Sequence, residues 1–270
     1  VPTVSVSPST FDCNVTGANV VTLTSTDVNG NDGTCTANVT AEDNVGPVAV
    51  CQDITVQLDT TGNAAITAND VDNGSNDACS ITMTVSPNSF VCGNVGSNNV
   101  TLTVTDVGNN IATCSGDVMI EDNVRPAALC QDITIQLDAA GNVSITTADV
   151  DNNSADACGI ATKTLSQTAF VCAEVGANPE VLTVTDVNGN ISTCATVVNV
   201  EDNVTPIAIC QDATVQLDAS GNGSTTTADV DNGSNDACGI ATKTLSQTDF
   251  VCNEVGLSLI HISEPTRPPE

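Results

Sequence analysis

The stretch that decides the fold class runs from Val181 to Asn190 and reads Val-Leu-Thr-Val-Thr-Asp-Val-Asn-Gly-Asn. Apolar residues and threonines alternate in its first half, which is typical of a β-strand with one buried face. Asn-Gly follows, and this dipeptide favours a tight hairpin because both residues tolerate a positive φ. The same alternation occurs at 100–105, where the turn reads Asp106-Val107-Gly108-Asn109-Asn110 with the glycine moved, and the Asn-Gly turn recurs at Asp27–Asn31 near the start of the chain. The pattern predicts recurring β-hairpins.

The hairpins belong to long internal repeats. Glu-Asp-Asn-Val-x-Pro begins at Glu42, Glu121 and Glu201, so the offsets are 79 and 80 residues. A period of this length is a small domain rather than a solenoid turn. The predicted organisation has five parts: 1–44, the C-terminal part of a repeat; 45–123 and 124–203, two complete repeats; 204–256, the N-terminal part of a repeat; and 257–270, a non-native or disordered tail.

Each complete repeat shows six or seven short strands separated by turns, and no stretch has helical periodicity. The core is modest, because the chain has no Trp, no Tyr and four Phe. We therefore predict an all-β chain of tandem immunoglobulin-like β-sandwich domains arranged as beads in a rod. A core of this size is marginal by itself, so covalent cross-links are expected.

Cysteines supply those cross-links, since each complete repeat carries four of them. Four cysteines allow three pairings. The favoured pairs are Cys79–Cys92 and Cys51–Cys114, repeated as Cys158–Cys172 and Cys130–Cys194, with Cys238 and Cys252 as the equivalent of the first pair. A zinc site is the alternative, but the chain has no Cys-x-x-Cys and one histidine, His261, in the tail. Disulfides indicate an extracellular or cell-surface location.

The charge is strongly negative: 33 acidic residues against four basic ones give a formal net charge of −29. Such a surface repels nucleic acid and anionic membranes. Divalent cations would relieve the repulsion. No apolar run is long enough to span a bilayer, so membrane insertion is not expected.

These motifs together resemble a known family. The succession Ala-x-Cys-Gln-Asp-x-Thr-x-Gln-Leu-Asp, Asp-x-Asp-Asn-x-Ser-x-Asp-Ala-Cys, Thr-Val-Thr-Asp-Val-Asn-Gly-Asn and Glu-Asp-Asn-Val-x-Pro resembles the HYR (hyalin repeat) class of immunoglobulin-like domains. The long arrays in surface proteins of Bacteroidota are the most similar form. The resemblance covers residues 1–256, and it implies the sandwich fold rather than one function, because such arrays serve as adhesins, stalks and spacers.

The junctions between repeats are the strongest candidate sites. Their Glu-Asp-Asn sequence resembles the calcium-binding linker of cadherins, and the acidic Asp-x-Asp-Asn loop is expected at the same pole. Carboxylate and amide oxygens are ligands that calcium prefers. The candidate calcium ligands are Glu42, Asp43, Asn44, Asp53, Asp70, Asp72, Asn73 and Asp77; Glu121, Asp122, Asn123, Asp132, Asp151, Asn152 and Asp156; and Glu201, Asp202, Asn203, Asp212, Asp231, Asn232 and Asp236. Alternatively, these residues are turn formers and solubilising charge.

Other features are weaker. The Asp-Val-Asn-Gly-Asn turn resembles the opening of a calcium loop, but the remaining loop spacing is absent, which favours a plain turn. Ten Asn-x-Ser/Thr sequons occur, among them the glycosylation candidates Asn99, Asn142 and Asn222. Catalysis is not expected, because no nucleophile, base or phosphate loop forms a recognisable set.

Residues 257–270 resemble the translation of a sequencing adapter, which predicts a longer natural array; a genuine flexible tail is the alternative. The predicted function is an extracellular structural array, disulfide-stapled and calcium-stiffened, that forms an adhesin stalk or surface fibre. Its partners would be further copies of the repeat and surface glycans. The alternatives are a spacer in a large secreted enzyme, a carbohydrate-binding module, which the lack of aromatic platforms disfavours, and a fibre assembled by complementation of half-domains.

Overall fold

The structure is a computed structural model that describes residues 1–256 and the backbone of 262–266. The prediction for the tail at 257–270 therefore lies largely outside the described residues. The chain divides into two compact units, Val1–Val124 and Arg125–Glu270. No helix among the described residues is long and apolar enough to cross a membrane.

The first unit contains nine strands and one short helix. The elements are β1 (Thr3–Ser7), β2 (Gly17–Thr26), β3 (Asp32–Ala41), β4 (Ile54–Gln57), β5 (Asn63–Ala65), α1 (Ala68–Val71), β6 (Ile81–Ser86), β7 (Ser89–Val91), β8 (Gly96–Asp106) and β9 (Ile111–Glu121).

The second unit begins with the order that β4 to β9 show in the first, and part of that order then recurs. Its elements are β10 (Ile133–Gln136), β11 (Asn142–Ser144), α2 (Thr147–Val150), β12 (Ile160–Leu165), β13 (Ala169–Val171), β14 (Gly176–Asp186), β15 (Ile191–Glu201), β16 (Asn222–Ser224), α3 (Thr227–Val230), β17 (Thr242–Leu245), β18 (Asp249–Val251) and β19 (Ile262–Thr266).

Each complete repeat is a sandwich of unequal layers. One layer is a four-stranded sheet in the order β4-β9-β8-β6, and the other contains the two-stranded sheet β5-β7. The first strand of the large sheet is short and runs parallel to the last one, with Ile54 opposite Val118. The other pairs are antiparallel. Residues 124–203 repeat this topology in the order β10-β15-β14-β12, with β11-β13 as the small sheet. The predicted all-β sandwich is confirmed.

The core lies between these layers because alternate strand residues point inward. In the second unit, Leu182 and Val184 of β14 and Val198 of β15 pack with Phe170 of β13 and Val150 of α2 in one buried cluster. Phe170 has no exposed surface. Every complete repeat therefore buries its single aromatic ring at the centre of a Val, Leu and Ile core.

The short helices correct the sequence prediction, which placed no helix anywhere. The α1 helix is one turn long, and the carboxylate of Asp70 accepts hydrogen bonds from the N–H of Thr67 at 2.6 Å and from its hydroxyl at 2.7 Å. Thr-x-x-Asp is therefore a helix N-terminal motif here. A single turn is too short to produce visible helical periodicity, which is why the sequence pattern read as a loop.

The disulfides agree with the prediction in part. Cys51 bonds to Cys114 and Cys130 bonds to Cys194, as predicted, and both bonds join the region of the first strand to the last strand of the large sheet. The predicted Cys79–Cys92 pair is wrong, because Cys79 bonds to Cys13 in the preceding repeat.

The same correction applies in the second unit. Cys172 bonds to Cys238 in the following repeat, so the predicted Cys158–Cys172 and Cys238–Cys252 pairs are wrong as well. Cys92 and Cys158 are both disulfide-bonded, whereas Cys252 carries a free, exposed thiol. Bonds that cross from one repeat to the next thus replace the bonds that were expected within each repeat.

Candidate functional site at the repeat junctions

The junction between the first two repeats brings together the linker at 42–47 and the two cysteines of a cross-repeat disulfide. Cys13 begins a short 3-10 turn just before β2, and Cys79 lies two residues before the start of β6. The disulfide fixes the end of one repeat against the acidic loop of the next, with a Cα–Cα distance of 5.5 Å. This places the linker carboxylates beside that loop.

A pair of carboxylates forms at this junction. One oxygen each of Asp43 and Asp77 lies within 4.8 Å of the other and of the Cys79 sulfur. The Oδ1 atom of Asp43 accepts the N–H of Val45 at 3.1 Å, but its Oδ2 atom is buried and has no hydrogen-bond partner. Asp77 accepts the N–H of Cys79 at 2.7 Å. A buried carboxylate oxygen without a donor fits a bound cation, because such an atom is otherwise costly to desolvate.

The same arrangement occurs at the junction in the second unit. Asp202 and Asp236 approach each other and the sulfur of Cys238 within the same limit. Asp202 is only 5% exposed, and its Oδ1 atom accepts the N–H of Val204 at 3.1 Å. Because the sulfur is in a disulfide, it offers no thiolate, and the two carboxylates are the anionic groups of this pair. We call Asp43–Asp77 and Asp202–Asp236 the junction carboxylate pairs.

The hairpin turn at the end of β8 closes over the linker. Asn110 donates its side-chain amide to the carbonyl oxygens of Asp43 at 3.0 Å and Val45 at 3.2 Å. Gly108 allows this approach, because a Cβ atom there would lie 2.6 Å from the Asp43 carbonyl oxygen. The turn therefore holds the linker backbone in place. Sequence reasoning missed this role of Asn110, since Asn is common in any turn.

The other predicted ligands have structural partners away from these pairs. Asp70 caps α1, as described above. Asp53 accepts the N–H of Asp117 at 2.8 Å, and Asp132 accepts that of Val197 at 2.8 Å, so both tie the start of a repeat to its last strand. Asp72 accepts the N–H of Ser75 at 2.9 Å and stabilises its own loop.

The linker residues that flank Asp122 and Asp202 bond within their own repeats. Glu121 accepts the side-chain amide of Gln57 at 2.7 Å, and Asn123 donates to the Gln57 carbonyl oxygen at 2.7 Å. Glu201, Asn203 and Gln136 form the same set in the second unit. These bonds fasten the end of the last strand to the first strand of the repeat.

The remaining predicted ligands have the following places. Six of them are exposed: Glu42, Asn44, Asn73, Asn152, Asp212 and Asn232. Asp122 is buried and accepts the N–H of Val124, and Asp156 accepts the N–H of Cys158. Asp151 and Asp231 form ion pairs.

The ion pairs involve both lysines of the chain. The ammonium of Lys163 lies 2.5 Å from Asp151, and that of Lys243 lies 2.6 Å from Asp231. Burial raises the pKa of the Asp151 carboxyl, but hydrogen bonds from Lys163 and Ser154 outweigh that effect and lower it. The Lys243 ammonium, with Ser234, lowers the pKa of Asp231 to about 2. In the first complete repeat, Met83 occupies the position of the lysine.

The Lys163–Asp151 ion pair gives a prediction about how stability depends on pH. We expect Lys163→Met to lower the free energy of unfolding by about 1 kcal/mol at pH 7, as for a partly exposed pair. Because the folded-state pKa of Asp151 is depressed, the stabilisation is present above the unfolded-state pKa near ~4 and is lost as pH falls through the folded-state pKa. Urea unfolding at pH 7 and pH 2.5 measures both values.

The matched control is Met83→Lys, which builds the same pair opposite Asp72 in the first complete repeat. It should gain stability at pH 7 and nothing at low pH. If Lys163→Met costs the same at both pH values, packing of the lysine stem rather than its charge stabilises this loop.

In the Asp-Val-Asn-Gly-Asn turns, the aspartate side chain accepts hydrogen bonds from residues of the same turn. Asp27 accepts the N–H groups of Asn29 and Asn31 at 2.8 Å each, and the Asn31 side chain also donates to it. These bonds lower the pKa of Asp27. These hydrogen bonds account for the geometry of the motif as a plain turn, without a bound calcium ion. The sequons at Asn99, Asn142 and Asn222 are exposed, and their glycosylation stays a prediction.

Comparison with known proteins gives matches at the level of solved structures. No family model matches the sequence, and no curated protein matches it. Among solved structures, the extracellular cadherin domains 1–4 of protocadherin gamma B7 align with 91% of this chain and 78% of theirs, at 12% identity and a TM-score of 0.35. Domains EC1–2 of human protocadherin-24 align with 59% of this chain and 100% of theirs, at 12% identity and a TM-score of 0.34. Domains EC1–2 of human mucin-like protocadherin align with 56% of this chain and 96% of theirs, at 16% identity and a TM-score of 0.30.

Proposed function

We propose that this chain is a structural segment of an extracellular repeat array, which forms the stalk of an adhesin or a fibre at a cell surface. The observation that supports this most strongly is the cross-repeat disulfide. Cys13–Cys79 and Cys172–Cys238 join neighbouring repeats covalently and fix each to the next. Disulfides of this kind persist in oxidising compartments. An antibody against the chain should label intact, unpermeabilised cells that express it; labelling that needs permeabilisation would contradict the proposal.

We further propose that calcium binds at the junction carboxylate pairs. The buried Oδ2 atom of Asp43 lacks a donor, and Asp77 stands beside it. Two carboxylates supply only part of the six to eight oxygens that calcium takes, so backbone oxygens and water would complete the shell. The cation would neutralise part of a net charge of −29 where the acids of two repeats meet. In this role calcium restricts motion at the junction and carries out no chemistry.

The calcium proposal predicts a stability change on chelation. We expect the full chain to melt at a higher temperature in calcium than in a chelator, because a ligand that binds only the folded state stabilises it. That contribution is about 2.7 kcal/mol when the free ligand is at 100 times its Kd. Calorimetry measures the melting shift, and equilibrium dialysis with radioactive calcium counts the bound ions.

The variant that tests the site is Asp43→Asn with Asp202→Asn, which keeps the acceptor oxygen and the side-chain volume. We expect it to lose at least tenfold in calcium affinity. The matched control, Glu42→Gln with Glu201→Gln, removes the same number of charges one residue away and should bind normally. Equal loss in both variants would indicate diffuse charge attraction, and no binding to the parent chain would contradict calcium at the junctions.

A further inference from the structure

An Asn-Gly dipeptide lies in two of the acidic loops, which we define as the segments 72–77 and 231–236 that follow α1 and α3. The dipeptides are Asn73-Gly74 and Asn232-Gly233, and all four residues are exposed. Neither asparagine side chain makes a hydrogen bond within the part of the chain that the structure describes. The side-chain amide carbon of each asparagine is therefore open to attack.

The glycine N–H that follows each asparagine is also outside the backbone hydrogen-bond network. The Gly74 N–H has one long contact, 3.3 Å to the carboxylate of Asp72. The Gly233 N–H donates no hydrogen bond among the described residues. The two glycines have φ angles of +92° and +89°, and a Cβ atom at either would meet nothing within 4 Å. The nitrogen of each glycine can therefore approach the preceding side chain.

The Asn-Gly dipeptides of the hairpin turns differ in this respect. There the glycine N–H closes the turn: Gly30 donates to the carbonyl oxygen of Asp27 at 3.2 Å, and Gly189 donates to that of Asp186 at 3.3 Å. A glycine nitrogen that turned toward the asparagine side chain would break this hydrogen bond. The hairpin turns are exposed as well, so the use of the glycine N–H, rather than exposure, separates the two kinds of site.

We propose that Asn73 and Asn232 are sites of spontaneous deamidation, and that the reaction loosens the acidic loop in which it occurs. The glycine nitrogen loses its proton to hydroxide and bonds to Cγ of the asparagine. The Cγ–Nδ2 bond then breaks, and Nδ2 leaves as ammonia after taking up a proton. Water opens the resulting five-membered succinimide ring at either carbonyl, which gives aspartate or isoaspartate. Glycine favours the first step because it has no Cβ to obstruct the approach.

The second complete repeat provides an internal control. Its loop reads Asn152-Asn153, and Asn153 has a φ of 62° at the position that Gly74 and Gly233 occupy in the other loops. The Cβ atom of Asn153 obstructs the nitrogen, so Asn152 should react more slowly. Asparagine tolerates the left-handed conformation, and this repeat shows that the loop accepts it there. Gly74→Asn and Gly233→Asn should therefore preserve the loop.

The loop is held on both sides of the reacting bond. The N–H of Asn73 donates to the carbonyl oxygen of Val50 at 2.9 Å, and the hydroxyl of Ser75 accepts the N–H of Val50 at 2.9 Å. The N–H of Asn76 donates to Val48 at 3.0 Å. Isoaspartate lengthens the main chain by a carbon atom between these fixed points, so the bonds cannot all persist. The corresponding residues of the other loop are Asn232, Ser234, Asn235, Ile207 and Ile209.

The reaction consumes water and needs no enzyme, metal or oxidant, so it proceeds whether or not calcium binds at the junctions. Each conversion replaces a neutral amide by a carboxylate and adds a negative charge to a chain whose net charge is already −29. An array exposed for a long time would thus accumulate loosened loops, a chemical change that its role as a stalk or fibre does not require.

The experiment ages the folded full chain in mildly alkaline buffer made with heavy-oxygen water, and peptide mapping by mass spectrometry locates the label. We expect label and isoaspartate at Asn73 and Asn232, with conversion at Asn152, Asn29 and Asn188 at least tenfold slower. A sample unfolded in urea is the reference. There the four Asn-Gly sites should react at similar rates, because the hydrogen bonds that protect the hairpin turns are gone.

Two variants test the role of the glycines. Gly74→Asn with Gly233→Asn should reduce conversion in the acidic loops at least tenfold. The matched control is Gly30→Asn with Gly189→Asn, which the fold should accept because Asn109 has a φ of 63° at the equivalent place. This control should leave conversion in the acidic loops unchanged. Hydrogen exchange should show lost protection at 48–50 and 74–77 in the aged parent chain but not in the aged loop variant.

Three results would overturn the proposal. Asn73 and Asn232 could stay intact in the folded chain although they convert in urea, which would mean that the fold protects them. The hairpin sites could convert as fast as the acidic loops in the folded chain, which would mean that the glycine hydrogen bonds are irrelevant. The converted chain could keep full protection at 48–50 and 74–77, which would mean that the loop is not loosened.

Discussion

A chain in which Cys130 and Cys194 are both replaced by alanine should lose roughly 4 kcal/mol of stability in its second complete repeat. The bond closes a loop with a sequence separation of 64 residues, and the chain-entropy model gives this magnitude for such a loop. Urea unfolding followed by circular dichroism at a β-sheet wavelength measures the loss. A repeat of this size has little stability in reserve, so the substitution removes a large part of it.

The matched comparison is the loss of Cys13 and Cys79, whose bond has a separation of 66 residues but crosses two repeats. That variant should change how the two repeats unfold together, with a broader or split transition. If Cys130 and Cys194 can be removed for less than about 1 kcal/mol, the unfolded chain retains enough structure to make the loop closure irrelevant.

Replacing Phe170 by alanine should destabilise the same repeat by about 3 to 5 kcal/mol, which is the usual cost of removing a buried aromatic ring. Phe170 is fully buried in the core cluster with Val150 and Leu182. Because the surrounding β-branched residues cannot collapse into the space, most of the cavity should remain. Calorimetric melting of the variant measures the effect, and its transition should separate from that of the rest of the chain.

Phe250→Ala provides the internal control, because the same residue type occupies the equivalent position but is only partly buried. Its ring is only partly buried, so the cost should be about 1 kcal/mol or less in the isolated chain. Equal costs at Phe170 and Phe250 would mean that the large sheet contributes little to burial of the ring.

Much of the fold was predictable because it depends on local patterns. Period-two alternation at 181–185 and the Asn-Gly turn that follows are sufficient to place β14 and β15 as a hairpin. The pairing of Cys51 with Cys114 follows from a sandwich in which the first and last strands are neighbours. The one-turn helices were missed because their evidence is a single capping motif, Thr67-x-x-Asp70, rather than periodicity.

The cross-repeat disulfides were not predictable from spacing alone. Cys79 and Cys92 are close in sequence, but Cys13 and Cys92 occupy equivalent positions in neighbouring repeats, so a sequence cannot tell which of them Cys79 will meet. The answer depends on how one repeat follows the next through the linker. For the same reason, the predicted convergence of all acids in the loop reduced to Asp77 alone beside Asp43, while Asp70 and Asp72 are used within the loop.

The overlap of the disulfide loops limits how far the chain can be stretched. Cys13 and Cys114 are 101 positions apart in sequence, and that length of free polypeptide would extend to about 350 Å. The loops closed by Cys13–Cys79 and Cys51–Cys114 overlap, so the shortest covalent route between the outer cysteines contains only the segment from Cys51 to Cys79, which are 28 positions apart. That segment reaches about 100 Å when fully extended. Under a pulling force, the distance between Cys13 and Cys114 should therefore reach its limit at about 100 Å, even after every hydrogen bond between the strands has broken.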